Sequence, residues 1–172
     1  MAAVDAWDPD RYGRFAGERA QPFLDLLSLV RPVPGGRVVD LGCGDGELTV
    51  RLHRRLEAAR TLGLDSSPAM LERAAAHAGD GVRFALGDIA GFGADGGGWD
   101  VICSNAALHW LPDHETLFAR LVASLRPDGQ LAVQMPANHD HPSHLVAAEV
   151  ADGEPFRAAL AGYRRESPVR AP

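Results

Sequence analysis

The run Val38-Val39-Asp40-Leu41-Gly42-Cys43-Gly44-Asp45-Gly46 limits what this chain can fold into more than any other feature. It reads as a buried apolar strand ending in an acid, three glycines at alternate positions, and a helix opening at Glu47. Glycine lets the backbone turn tightly and lets a ligand touch the main chain. The helix start offers unpaired N–H groups to whatever sits there. The combination is a nucleotide-binding strand–turn–helix. Its G-x-G-x-G spacing departs from the G-x-G-x-x-G that receives a pyrophosphate, and no Lys-Ser/Thr follows to make a phosphate loop. An acid just before the glycines repels phosphate. It suits a cationic ligand carrying an amino group and a sulfonium.

Three further segments extend this pattern. Thr61–Asp65 reads as a second strand whose terminal acid, with Ser66 beside it, is placed to hold ribose hydroxyls. Val82–Leu86 reads as a third, running into Gly87-Asp88-Ile89, where a carboxylate can accept from an adenine amino group and Ile89 can lie against the ring. Asp88 is equally suited to capping a turn. Asp100–Asn105 reads as a fourth strand, followed by Ala106-Ala107-Leu108-His109-Trp110-Leu111. Each loop leaves the carboxyl end of a strand, where open α/β sheets bind ligands.

Together the four segments resemble class I S-adenosylmethionine-dependent methyltransferases. The resemblance narrows to the trans-aconitate 2-methyltransferases through Trp7-Asp8-Pro9, Tyr12, Phe15, Glu18-Arg19 and Pro22. It continues in Asp65–Leu71, Asn105–His114 and Val133-Gln134-Met135-Pro136 with Asn138, and runs from about Trp7 to about Val150. It implies a doubly wound, mostly parallel Rossmann-like sheet, S-adenosyl-L-methionine as cofactor and a small acid as methyl acceptor. The cofactor candidates are Tyr12, Arg19, Asp40, Gly42, Gly44, Asp65, Ser66, Asp88, Ile89, Asn105 and Ala106. Of these, the N-terminal residues are implied by a family segment that folds over the cofactor. Asn105 and Ala106 are implied by family backbone contacts to the methionine part. Gly46 belongs to the same turn.

Methyl transfer from a sulfonium is an in-line displacement whose donor is already activated, so the protein chiefly aligns the reactants and excludes water. A carboxylate acceptor is ionised at neutral pH and needs no base, whereas a hydroxyl or amine usually does. His109, beside Trp110 after the fourth strand, could orient an acceptor or take a proton; a packed turn histidine is the ordinary alternative. The resemblance adds His144 as a substrate contact. His139, His141 and His144 lack zinc-like spacing with Cys or acids, so no metal site is expected. A polycarboxylate calls for several cations, and Arg11, Arg14 and Arg19 are the nearest in sequence. The rival readings are a methyltransferase for a hydroxyl or amine of a small metabolite, and a cofactor-binding fragment without catalysis.

At 172 residues the chain is expected to be one domain, with a helical cap over 1–34, a sheet core over 35–136 and a partial C-terminal region over 137–172. A net charge of −6 with no long basic run argues against nucleic acid. No apolar stretch approaches spanning length, no signal peptide is evident, and Cys43 and Cys103 read as apolar fillers in a reducing compartment. A cytoplasmic protein is expected. The helix after the glycines should run from about Glu47 to Ala58, with Arg51, His53, Arg54 and Arg55 on a solvated face. Ser67 should cap the next helix with Pro68 at its first position. Gly91–Gly98 reads as a mobile loop, His114–Leu125 as a helix, Arg126–Gly129 as a turn, Gln130–Gln134 as strand five and Ser143–Val150 as a helix. The family usually continues with two further strands. A chain cut off after strand five would leave Leu131-Ala132-Val133 as an exposed edge and invite a homodimer through it.

Overall fold

The computed structural model describes residues 16–93, 96–138, 141–163 and 169, with the backbone alone for residues 16–19. Five parallel strands, β1 (Arg37–Leu41), β2 (Arg60–Asp65), β3 (Val82–Leu86), β4 (Trp99–Asn105) and β5 (Leu125–Gln134), form one sheet in the order β3-β2-β1-β4-β5. The helices are α1 (Ala16–Ser28), α2 (Glu47–Leu56), α3 (Pro68–Ala74), α4 (His114–Ala123), α5 (Pro142–Asp152) and α6 (Phe156–Ala159). Short 3₁₀ turns occupy Ala75–His77, Ile89–Gly91 and Leu108–Trp110. Strand order reverses between β1 and β4, and the carboxyl ends there open the crevice in which such sheets hold ligands.

The sheet is buried on both faces, as its continuous apolar strands require. Period-two alternation sends Val38, Val101, Cys103 and Ala132 to one face, against Phe23 and Leu27 of α1 and Leu52 and Leu56 of α2. Val39, Leu41 and Ile102 go to the other, against Leu117 and Leu121 of α4 and Leu108. Cys43 and Cys103 are free and buried, packed as small apolar groups.

Local chemistry sets the helix limits. The helix α2 buries Thr49, Leu52 and Leu56 and leaves Arg51, Arg54 and Arg55 exposed. It stops two residues before the expected end because Glu57 turns left-handed, with φ 55°. The Ser67 hydroxyl accepts from Met70 N–H at 3.2 Å and Pro68 opens α3.

The start of strand five is corrected. Strand five starts at Leu125, not Gln130: Trp99 pairs with Leu125 and Val101 with Gln130, so Arg126–Gly129 bulges out of a continuing strand. At the end of the Gly91–Gly98 segment, Gly98 N–H and the following Trp99 N–H donate to Ser124 O at 2.9 and 3.2 Å. The helix expected over Ser143–Val150 runs Pro142–Asp152, and this helix, α6 and the residue after it leave Leu145, Val146, Val150, Phe156 and Leu160 exposed. No helix among the described residues is long and apolar enough to cross a membrane.

Candidate active site

Everything at the reversal point converges on a cleft of about 550 Å³. Its floor is the glycine turn. Gly42 and Cys43 N–H both donate to Leu64 O, at 2.8 and 3.1 Å, which folds the turn back over β2. Gly42 has φ 81°, and a Cβ there would lie 2.3 Å from the Ala107 methyl. Only glycine lets the loop after β4 close against the turn. Gly46, at φ 83°, meets the protein interior instead: a Cβ would strike the Phe84 ring at 2.6 Å. Its glycine serves packing, while Gly42 and Gly44 line the cleft.

Asp65 organises one side. Its two carboxylate oxygens accept from Gly44 N–H and Ser67 N–H, each at 2.9 Å, so one side chain joins the glycine turn to the β2–α3 turn. Each oxygen keeps a lone pair for a ligand hydroxyl. Ser66 and Met70 continue this wall. Asp88 accepts from Ala90 N–H at 2.8 Å and also borders the cleft beside Ile89, so it is both a cap and a wall residue.

The opposite wall is the segment after β4. Ser104 donates its hydroxyl to Leu41 O at 2.8 Å, fixing β4 to the end of β1. Asn105 Oδ1 is buried with no hydrogen-bond partner among the described residues, an acceptor held at the cleft. Ala106 takes φ 53°, rare for a residue with a Cβ, while its N–H donates to Gln134 O at 2.8 Å. Ala107, Trp110 and Leu111 complete the apolar side. His114 Nε2 lies 3.0 Å from Leu108 O and ties the 3₁₀ turn to the start of α4.

Asp40 lies behind the turn, not on the cleft surface. It is 3% exposed and accepts from the Thr49 hydroxyl at 2.6 Å. Burial pushes its carboxyl up to about 6; the Thr49 bond opposes this and the Asp65 charge adds to it. Burial first, then the Asp40 charge, also raises both thiols, Cys43 and Cys103. No basic side chain lines the cleft among the described residues. Its acids and its orphaned amide oxygen fit a ligand that brings its own positive charge and N–H donors.

Of the sequence candidates, Gly42, Gly44, Asp65, Ser66, Asp88, Ile89, Asn105 and Ala106 meet at this cleft. Tyr12 lies outside the described residues, as do Trp7, Arg11, Arg14, Phe15 and His139, and so does the side chain of Arg19. Neither candidate histidine is among the cleft-lining residues. His109 lies against Trp110, the rings tilted at 42° with centroids 4.6 Å apart. His144 is exposed on α5. Sequence reasoning missed the apolar lining, Met70, Ala107, Trp110 and Leu111. The available signals were an apolar residue one turn after the Ser67 cap and an aromatic shortly after a strand end.

The family profile described as a methyltransferase domain matches residues 38–129. Trans-aconitate 2-methyltransferase of Deinococcus radiodurans is 48% identical over 159 residues, covering 92% of this chain and 60% of that protein. The Streptomyces coelicolor protein of the same name is 44% identical over 172 residues, covering 95% and 56%. This chain thus spans well under two thirds of the length of these relatives. A crystal structure of an S-adenosylmethionine-dependent methyltransferase from Mesorhizobium loti superposes with a TM-score of 0.61 at 32% identity, covering 70% of this chain and 55% of that one.

Proposed function

This chain belongs to the methyltransferase domain family, whose cofactor is S-adenosyl-L-methionine, and from that premise we propose that it methylates a carboxylate of a small, trans-aconitate-like acid. The observation that carries the reading is a cleft at the strand reversal with Asp65 and Asp88 on its walls and no cation among the described residues that line it. Asp65 would take the ribose hydroxyls, Asp88 and Ile89 the adenine, and Asn105 and Ala106 the amino-acid end. Tyr12 and Arg19 would close over it. Asp40 would act through the turn as counter-charge to the ligand's cationic end.

When bound, the cofactor supplies an activated methyl group. That methyl would pass to the acceptor oxygen with the sulfonium becoming a neutral thioether, and the residues named above would hold donor and acceptor in line. No proton moves if the acceptor is a carboxylate. The position of His109 and His144 off the cleft lining favours that class over a hydroxyl or amine. The chain's part is alignment and exclusion of water, through the Trp110–Leu111 wall.

The test is methyl transfer from labelled cofactor to trans-aconitate, related polycarboxylates and monocarboxylates. Base-labile methyl ester on a polycarboxylate is expected. Transfer only to hydroxyl or amine acceptors would replace this reading with the second one. Cofactor binding without turnover on any acceptor would leave a cofactor-binding fragment.

A further inference from the structure

The inward face of α2 is the stripe Thr49, Leu52 and Leu56, and Thr49 puts a hydroxyl where its neighbours on the helix are apolar. That hydroxyl donates to Asp40 Oδ2 at 2.6 Å, and both residues are buried. Among the described residues no other donor reaches this carboxylate. In the sheet Asp40 pairs with Gly63, which has no side chain, and with Cys103, whose thiol burial keeps protonated. The Cys43 thiol in the turn is likewise neutral, and Asp65 at the end of β2 disfavours a second negative charge. Glu47, in the first turn of α2, is spent on Arg51 at 2.6 Å. From α1 this side of the sheet receives apolar side chains, Phe23 and Leu27 among them. A buried carboxylate stays ionised where donors satisfy it, and here that task falls to one hydroxyl.

We propose that Thr49 is a positioning residue for the cofactor: it holds Asp40 as an anion behind the glycine turn and thereby sets the pH below which the chain releases its cationic ligand. The inference rests on the cofactor reading above and is independent of the methyl acceptor. Thr49 is not among the residues lining the cleft, so it acts through Asp40. Protonation of Asp40 removes the charge that attracts the ligand's amino group. A hydroxyl bonds more strongly to a carboxylate than to a neutral acid, so the Thr49 bond moves proton uptake to lower pH. Burial and the Asp65 charge oppose it, and the balance leaves Asp40 titrating at about 6. Loss of the Thr49 bond therefore carries release towards neutral pH. The rival reading is a staple that fastens α2 to β1; its loss lowers stability and leaves the pH of release where it was.

The test is calorimetric titration of the full chain with S-adenosylhomocysteine, which keeps the amino group, from about pH 5 to about pH 8. Wild-type affinity should hold above about pH 7 and fall about tenfold by about pH 5. Thr49→Val, close in shape but without the hydroxyl, should move the midpoint of that fall up by about one pH unit. Thr49→Ser should restore it. Thermal melts of the unliganded protein give a second reading. The loss of stability with rising pH that Asp40 causes ends at about 6 in the wild type, and in Thr49→Val it should extend about one unit higher. Asp40→Asn should bind with one affinity across the range, below that of wild type at neutral pH. A midpoint unmoved in Thr49→Val, or moved equally in Thr49→Ser, overturns the proposal and leaves the staple. An Asp40→Asn variant whose affinity still falls with pH overturns it even where Thr49→Val does not fold. A folded wild type that binds no S-adenosylhomocysteine at any pH overturns the cofactor reading and this inference together.

Discussion

Asp40 carries an ionisable group where the interior disfavours its charge, and the sign of the consequence can be worked out. Its folded value of about 6 stands above the ordinary 3.8, so the native chain keeps a proton that the unfolded chain has lost. Asp40 therefore contributes stability below about pH 4, contributes less as pH rises to 6, and gives none at neutral pH. Asp40→Asn keeps an acceptor for Thr49 and removes the buried charge. It should raise stability at pH 7.5 by about 1–3 kcal/mol, flatten the pH dependence between 4 and 6, and weaken cofactor binding. Thermal melts from pH 4 to 8 with calorimetry check all three; an unstabilised variant with an unaltered pH profile would show that the charge is relieved some other way. Asp65→Ala should weaken S-adenosylhomocysteine binding by about 1–3 kcal/mol, and unchanged affinity would remove Asp65 from the ligand.

At the scale of elements, two glycines and one ring set the spacing of α2, β2 and β3. Gly63 pairs with Phe84 in the β2–β3 register, and a Cβ at Gly63 or at Gly46 would meet that ring at 2.5 or 2.6 Å. Gly46→Ala should destabilise by about 1–3 kcal/mol, and denaturant titration should show a smaller loss in a Phe84→Leu background. A loss equal in both backgrounds would assign the whole cost to the positive φ. These contacts explain what the sequence could and could not disclose. Strands β1 to β4, the Ser67 cap and the glycine turn are legible because each depends on neighbours in the chain. The start of β5 is not, because Arg126-Pro127-Asp128-Gly129 has turn chemistry, with Asp128 at φ 66°, yet lies within the strand. Pairing with β4 on either side, remote in sequence, keeps that segment in the strand as a bulge. The cleft's polar residues follow from strand ends. Its apolar wall follows from the close approach of Ala107 to Gly42, which no local pattern encodes.

Over the whole molecule, order is unevenly distributed. The sheet, α1, α2 and α4 share two core layers and α3 buries Met70 and Ala74, whereas α5 and α6 bury no residue fully. Regions with few buried apolar contacts open first. Limited trypsin treatment should cut at Arg157 well before Arg54 or Arg55, and mass spectrometry of the first fragments checks this; early cleavage within α2 would contradict the layering. The binding crevice lies within the well-packed part, and Asp65 already holds Gly44 and Ser67 before any ligand arrives. In calorimetric terms, association should then carry a heat-capacity change that reflects only the ligand's own apolar surface and the wall it covers, with no added contribution from a turn that condenses on binding. Asp65→Ala frees that turn, and the same titration should then show a larger negative heat-capacity change alongside the weaker affinity.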